Sequence, residues 1–119
     1  MHVLIVESDA DLGRVWQRHL MRTGKRVTLV HTEADAIGEL DRGPVSILVL
    51  DAILEDGSAF AVADYAGYRW PEMKIVFVTR RSFFSDGSIF QHAANACTML
   101  SSDANPSDLD AVLDHYAAT

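Results

Sequence analysis

Glu7, Ser8 and Asp9 follow the first apolar run of the chain, and Asp51 ends the most apolar one. Thr79, Arg80 and Arg81 end a third run, and Ser101, Ser102 and Asp103 a fourth. Brought to one place, these residues supply two or three carboxylates, hydroxyl groups and two guanidiniums. Crowded carboxylates repel one another, and a hard cation with oxygen ligands relieves that repulsion. The chemistry such a set can do is therefore cation-assisted and centred on Asp51.

These residues converge only if the elements that carry them end together. Residues 3–6 read as a short buried strand. From Asp11 the period changes: Leu12, Val15, Trp16 and Leu20 fall at helical spacing, and Gly24 closes the segment. Residues 26–30 read as a second strand. Thr32-Glu33-Ala34-Asp35 has the form of a capping box, opening a helix striped by Ile37 and Leu40 and stopped by Gly43-Pro44. Residues 45–50 form the third strand. Beyond the Glu55-Asp56-Gly57 loop, a helix over 58–67 is expected to turn Phe60, Ala63 and Tyr65 inward. A fourth strand over 74–79, a short fourth helix over 88–94 and a fifth strand over 97–101 follow. Asn105-Pro106 opens the last helix with an N-cap and a first-turn proline, and Leu109, Val112, Leu113 and Tyr116 make its apolar stripe. Apolar strands alternating with amphipathic helices imply a parallel sheet covered on both faces, an open doubly wound α/β fold. Sites in such folds form beyond the carboxyl ends of the strands, where strand order reverses.

Composition narrows the function classes. The 119 residues suffice for one domain with a real core and not for two. A formal net charge of −7 argues against binding nucleic acid phosphates. Cys97 is the single cysteine, which excludes an internal disulfide and fits a reducing compartment. The N-terminus has no basic region ahead of its short apolar run, and no stretch is long enough to span a bilayer. The five histidines show no metal-ligand spacing. The reading is a single cytoplasmic domain over 1–119, without an output domain and without nucleic acid or membrane partners.

Three segments carry a family resemblance: Val3-Leu4-Ile5-Val6-Glu7, Ile47-Leu48-Val49-Leu50-Asp51 with Ala52-Ile53-Leu54-Glu55-Asp56-Gly57-Ser58, and Val78-Thr79. In this order and spacing they resemble the receiver domains of response regulators in two-component signalling, across essentially the whole chain. The resemblance implies a CheY-like fold, with five parallel strands in the order 2-1-3-4-5 and five helices. It implies Asp51 as the phosphoacceptor and Mg²⁺ held by Glu7, Asp51 and the carbonyl of Ile53. Thr79 is then the switch hydroxyl that binds the phosphoryl group. The implied partners are a histidine kinase or phosphotransfer protein and a downstream protein target. The predicted helix over 88–94, the fifth strand and the last helix form a candidate homodimer face.

The chain departs from that pattern at several points. Ser8 stands at the second acidic position, so Mg²⁺ binding is expected to be weakened. Asp9 is a candidate replacement ligand, because residues i and i+2 of an extended strand share a face. Its competing role is to cap the first helix. Ser102 stands where the family has a phosphate-binding lysine; it donates a hydrogen bond but brings no charge. Arg80 or Arg81 is a candidate substitute, since a guanidinium binds phosphate bidentately. Met99 occupies the aromatic switch position and fills space without acting as a two-position gate. Glu55 replaces the loop proline, and Asp103 replaces the proline after the lysine.

Two functions follow. The first is a stand-alone atypical receiver that accepts phosphate on Asp51. The alternative is a phosphorylation-independent pseudo-receiver that signals by protein contact. An enzyme is not expected. A dehalogenase-type phosphatase needs a second Asp two residues beyond its nucleophile, where this chain has Ile53. A nucleotide-binding domain needs a glycine-rich loop after the first strand, where this chain has Glu7-Ser8-Asp9-Ala10-Asp11.

Overall fold

The apolar runs become strands because helices cover them from both sides. In the computed structural model of the chain, which describes residues 1–79 and 96–117, β1 (His2–Val6), β2 (Arg26–Val30), β3 (Ile47–Asp51), β4 (Lys74–Thr79) and β5 (Ala96–Ser101) form one sheet. All pairings are parallel and the order is β2-β1-β3-β4-β5, as the resemblance implies. The helices are α1 (Ala10–Arg22), α2 (Glu33–Arg42), α3 (Ala59–Arg69) and α4 (Pro106–Ala117). Four helices thus stand among the described residues, against the five expected. The remaining one, predicted over 88–94, lies outside the described residues.

Side-chain alternation along the central strands divides the core in two. Leu4, Val6, Leu48, Leu50, Ile75 and Phe77 meet α2 and α3 on one face. Val3, Ile5, Ile47, Val49, Val76 and Val78 meet α1 and α4 on the other. Met99 packs against the first face, opposite Phe77 in the β4–β5 register. On the second face Lys25, buried in the turn after α1, pairs with Asp110 and with Asp114 at 2.9 Å and so ties that turn to α4.

One inward assignment is corrected: Phe60 is 41% exposed, and Val15, which shares the helical spacing of α1, is 51% exposed. In α1 the face toward the sheet runs through Gly13, Trp16 and Leu20, and Val15 is rotated about 100° away from Trp16. In α3 that face is Ala59, Val62, Ala63 and Ala66, small residues that let the helix lie close, and bulky Phe60 falls beside them.

The loop from β3 to α3 is fastened to the start of α2. The Glu33 N–H donates to the Asp56 carbonyl at 3.1 Å, and the Ser58 N–H donates to Glu33 Oε1 at 2.7 Å. Gly57 makes this approach feasible: its φ is +112°, and a Cβ there would stand 2.3 Å from the Glu33 Cβ. Gly57→Ala is therefore expected to destabilise the fold by about 2–4 kcal/mol in urea unfolding, through strain and overlap. Gly38 lies in α2 with nothing within 4 Å of an added Cβ, so Gly38→Ala is expected to stabilise by about 0.5–1 kcal/mol.

Candidate functional site

The β1–β3 pairing sets Val6 beside Leu50, so the two strands deliver Glu7 and Asp51 side by side. Glu7 is only 4% exposed. Burial, then a hydrogen bond with the Asp51 carboxyl and the negative charges of Asp51 and Asp9, push its pKa up to about 8; the Asp9 N–H on Glu7 Oε2, at 3.0 Å, works in the opposite direction. Without a cation Glu7 therefore keeps its proton at neutral pH, beside the Asp51 carboxyl. His31 Nδ1 donates to the Glu7 carbonyl at 2.9 Å and fixes the backbone as it leaves the sheet.

The Asp51 carboxylate is aimed by two backbone donors. Ser8 N–H reaches Oδ2 at 3.3 Å and Ile53 N–H reaches Oδ1 at 3.1 Å. Each oxygen keeps lone pairs for another partner. Glu7, Ser8, Asp9, Ala10, Leu12, Asp51, Ile53, Glu55 and Ser102 line an open cleft of about 640 Å³. A cleft of comparable volume, about 680 Å³, is lined by Met1, Ser46, Glu72, Lys74, Asp114, Tyr116 and Ala117 at the opposite end of the sheet. It lies where β1, β3 and β4 begin, away from the residues singled out in the sequence.

The remaining residues divide. Asp9 is the N-cap of α1: its Oδ1 accepts from the N–H groups of Asp11 at 3.0 Å and Leu12 at 3.2 Å. Ser8 Oγ accepts from the Glu55 N–H at 2.9 Å. Ser102 lies on the cleft wall, and its N–H donates to the Thr79 carbonyl at 2.8 Å. Thr79 itself is 2% exposed and does not line the cleft, and its Oγ1 has no hydrogen-bond partner among the described residues. Arg80 and Arg81 lie outside the described residues. The sequence reading overlooked Glu55 as an N–H donor and Glu33 as the anchor of the loop. The signal that was available is Asp56-Gly57, a dipeptide typical of a tight turn.

Among the described residues, no group of three or more His, Cys, Asp or Glu side chains is arranged to hold a metal. The donors that face one another are two carboxylates, Glu7 and Asp51, with the Ile53 carbonyl nearby in the chain. Mg²⁺ commonly binds through one or two carboxylates and keeps several of its waters. The donor set fits that ion and does not form an all-protein cage.

No family model matches the chain. The response regulator receiver protein CpdR of Brucella abortus (strain 2308) is 30% identical over 77 residues, covering 65% of this chain and 64% of that protein. The match thus spans less than two thirds of that relative's length. A CheY-like response regulator receiver domain protein from Methanospirillum hungatei JF-1 superposes with a TM-score of 0.89 at 20% identity, over 98% of this chain and 93% of that one. The receiver domain of sensor histidine kinase PA1611 from Pseudomonas aeruginosa PAO1 superposes with a TM-score of 0.88 at 18% identity, over 99% and 98%. That structure has a magnesium ion coordinated in its active site cleft. Among the described residues of the present chain, no helix is long and apolar enough to cross a membrane.

The raised pKa of Glu7 gives the fold a pH dependence. In the unfolded chain Glu7 loses its proton near its ordinary 4.5, and in the fold near 8. The stability that the protonated folded form contributes is complete below 4.5 and is lost as pH rises through 8. Without divalent cations, Glu7→Gln is expected to be more stable than the wild type by about 1–3 kcal/mol at pH 8.5. At pH 5 the two should nearly coincide. Urea titrations of both proteins at the two pH values check this.

Proposed function

We propose that the chain, which is similar in sequence to a response regulator receiver and in fold to CheY-like receiver domains, is a receiving module of two-component signalling that accepts a phosphoryl group on Asp51 in a cleft with reduced metal and charge assistance. The observation that carries this reading is the pair of backbone N–H groups that aim the Asp51 carboxylate beside Glu7, at the carboxyl end of β3. One carboxylate oxygen forms the new bond to phosphorus. The bond from phosphorus to the donor nitrogen breaks, and the nitrogen leaves with the electron pair. The product is an acyl phosphate, with its negative charge concentrated at the cleft.

Glu7, Asp51 and the Ile53 carbonyl would hold Mg²⁺, whose contribution when bound is to neutralise charge on the phosphoryl oxygens. Before the ion binds, Glu7 must give up its proton, so affinity for Mg²⁺ rises with pH toward 8. Ser8 adds no charge and Asp9 is engaged as a helix cap, which leaves two carboxylates where the family pattern has three. Ser102, on the cleft wall, is the hydroxyl donor for the phosphoryl oxygens; Thr79 is buried behind the cleft and would have to turn into it to act as a second, and Arg80, next in sequence to Thr79, is the candidate counter-charge. The donor is a histidine kinase or phosphotransfer protein. The readout is contact with a protein target, and the helix predicted over 88–94, β5 and α4 are the candidate face for pairing of two copies.

A second reading is favoured by one feature of the site. The hydroxyl of Ser8 and the carboxylate of Asp9 are both committed to hydrogen bonds within the protein, so the cleft holds one stable arrangement without phosphate. On that reading the chain signals by contact alone. Incubation with a small-molecule phosphodonor and Mg²⁺, followed by intact-mass measurement, separates the two. One phosphoryl group per chain is expected on the wild type and none on Asp51→Asn. Glu7→Gln should slow labelling on the order of tenfold or more, through loss of a metal carboxylate. An unlabelled wild type, with partner binding unchanged in Asp51→Asn, would establish the contact-only function.

A further inference from the structure

The loop that carries Ile53 leaves β3 at Asp51 and reaches α3 at Ala59. Its second half is fastened to α2 by Glu33, as described above. Its first half is reached by a side chain from β1's exit: Ser8 Oγ accepts the Glu55 N–H at 2.9 Å. The Ser8 backbone N–H donates to Asp51 Oδ2, and Asp51 Oδ1 accepts from Ile53 N–H. Ser8, Asp51, Ile53 and Glu55 thus close a ring of three hydrogen bonds completed by the chain from Ile53 to Glu55. A shift of the loop would break the ring at Glu55 and move the Ile53 donor away from Asp51.

From this ring we infer that Ser8 is a positioning residue. Through the Glu55 N–H it holds the loop so that the Ile53 amide and carbonyl stay registered with the Asp51 carboxylate. The inference rests on Asp51 being the centre of the site. It gives the Ser8 departure from the receiver pattern a job other than that of a missing metal ligand. The Glu55 departure serves the same bond, because a proline at 55 has no N–H to donate. Two unusual residues, 47 apart in sequence, therefore meet in one interaction.

The test is a double-mutant cycle of Ser8→Ala and Glu55→Pro, with Ser8→Thr as the variant that keeps the hydroxyl. Amide hydrogen exchange at Ile53 is read without metal, and Mg²⁺ affinity is read by calorimetry. Each single substitution removes the same hydrogen bond, so each should speed exchange at Ile53 and weaken Mg²⁺ binding by roughly 3- to 10-fold. The double variant should be no worse than either single one, and Ser8→Thr should match the wild type. Unchanged exchange at Ile53 in Ser8→Ala would overturn the inference. So would effects that multiply in the double variant, which would mean that Ser8 acts on the cleft independently of Glu55. A wild type that fails to bind Mg²⁺ counts against the metal-assisted acceptor, and the exchange measurement in metal-free protein still decides the role of Ser8.

Discussion

The parallel pairing of β1 with β3 is the constraint from which the cleft follows. Both strands are buried, and their register sets Val6 beside Leu50. The residue after each member of that pair is an acid, Glu7 after Val6 and Asp51 after Leu50, so the two acids stand side by side. A one-residue slip of β1 would exchange Leu4 and Val6 with Val3 and Ile5 between the two cores and misfit the packing of both. The close approach of Glu7 and Asp51 is thus enforced by apolar packing that neither carboxyl takes part in.

That enforced approach sets the electrostatics. Glu7 is buried against a second carboxyl and keeps its proton to about pH 8, so the apo cleft carries less charge than its composition suggests. The surrounding backbone then acts as a fixed frame. N–H groups of Ser8, Asp9 and Ile53 point at the acidic oxygens, and His31 holds the Glu7 carbonyl. Donors on rigid strand ends cost no reorganisation when charge changes at the cleft, which is the condition for stabilising a developing anion.

Loop geometry extends the frame outward. The β3–α3 loop is pinned by Ser8 on one side and by Glu33 on the other, and Gly57 lets the backbone lie against α2. At the far end of the molecule Lys25, Asp110 and Asp114 lock the α1–β2 turn to α4. These contacts join residues far apart in the chain. Sequence periodicity cannot register them, because they involve single polar side chains and not a repeating face.

Much of the architecture was legible in the sequence because burial leaves a periodic trace. The continuous apolar runs of β1, β3 and β4 and the stripe of α4 depend only on local order, and the sheet follows from their alternation. Strand-end residues such as Asp51 were legible for the same reason, since they mark where a run stops. Inward and outward positions on helices were less so: Phe60 reads as core by its bulk, yet α3 packs through its alanines. The role of Ser8 was hidden entirely. As a residue type it is a lost carboxylate, and only the folded chain brings its hydroxyl to the N–H of Glu55. The sequence by itself determined which segments bury and which acids end them. The tertiary structure alone decided what those acids and their neighbours bond to, because hydrogen bonding depends on distance in space between groups that the chain keeps dozens of residues apart.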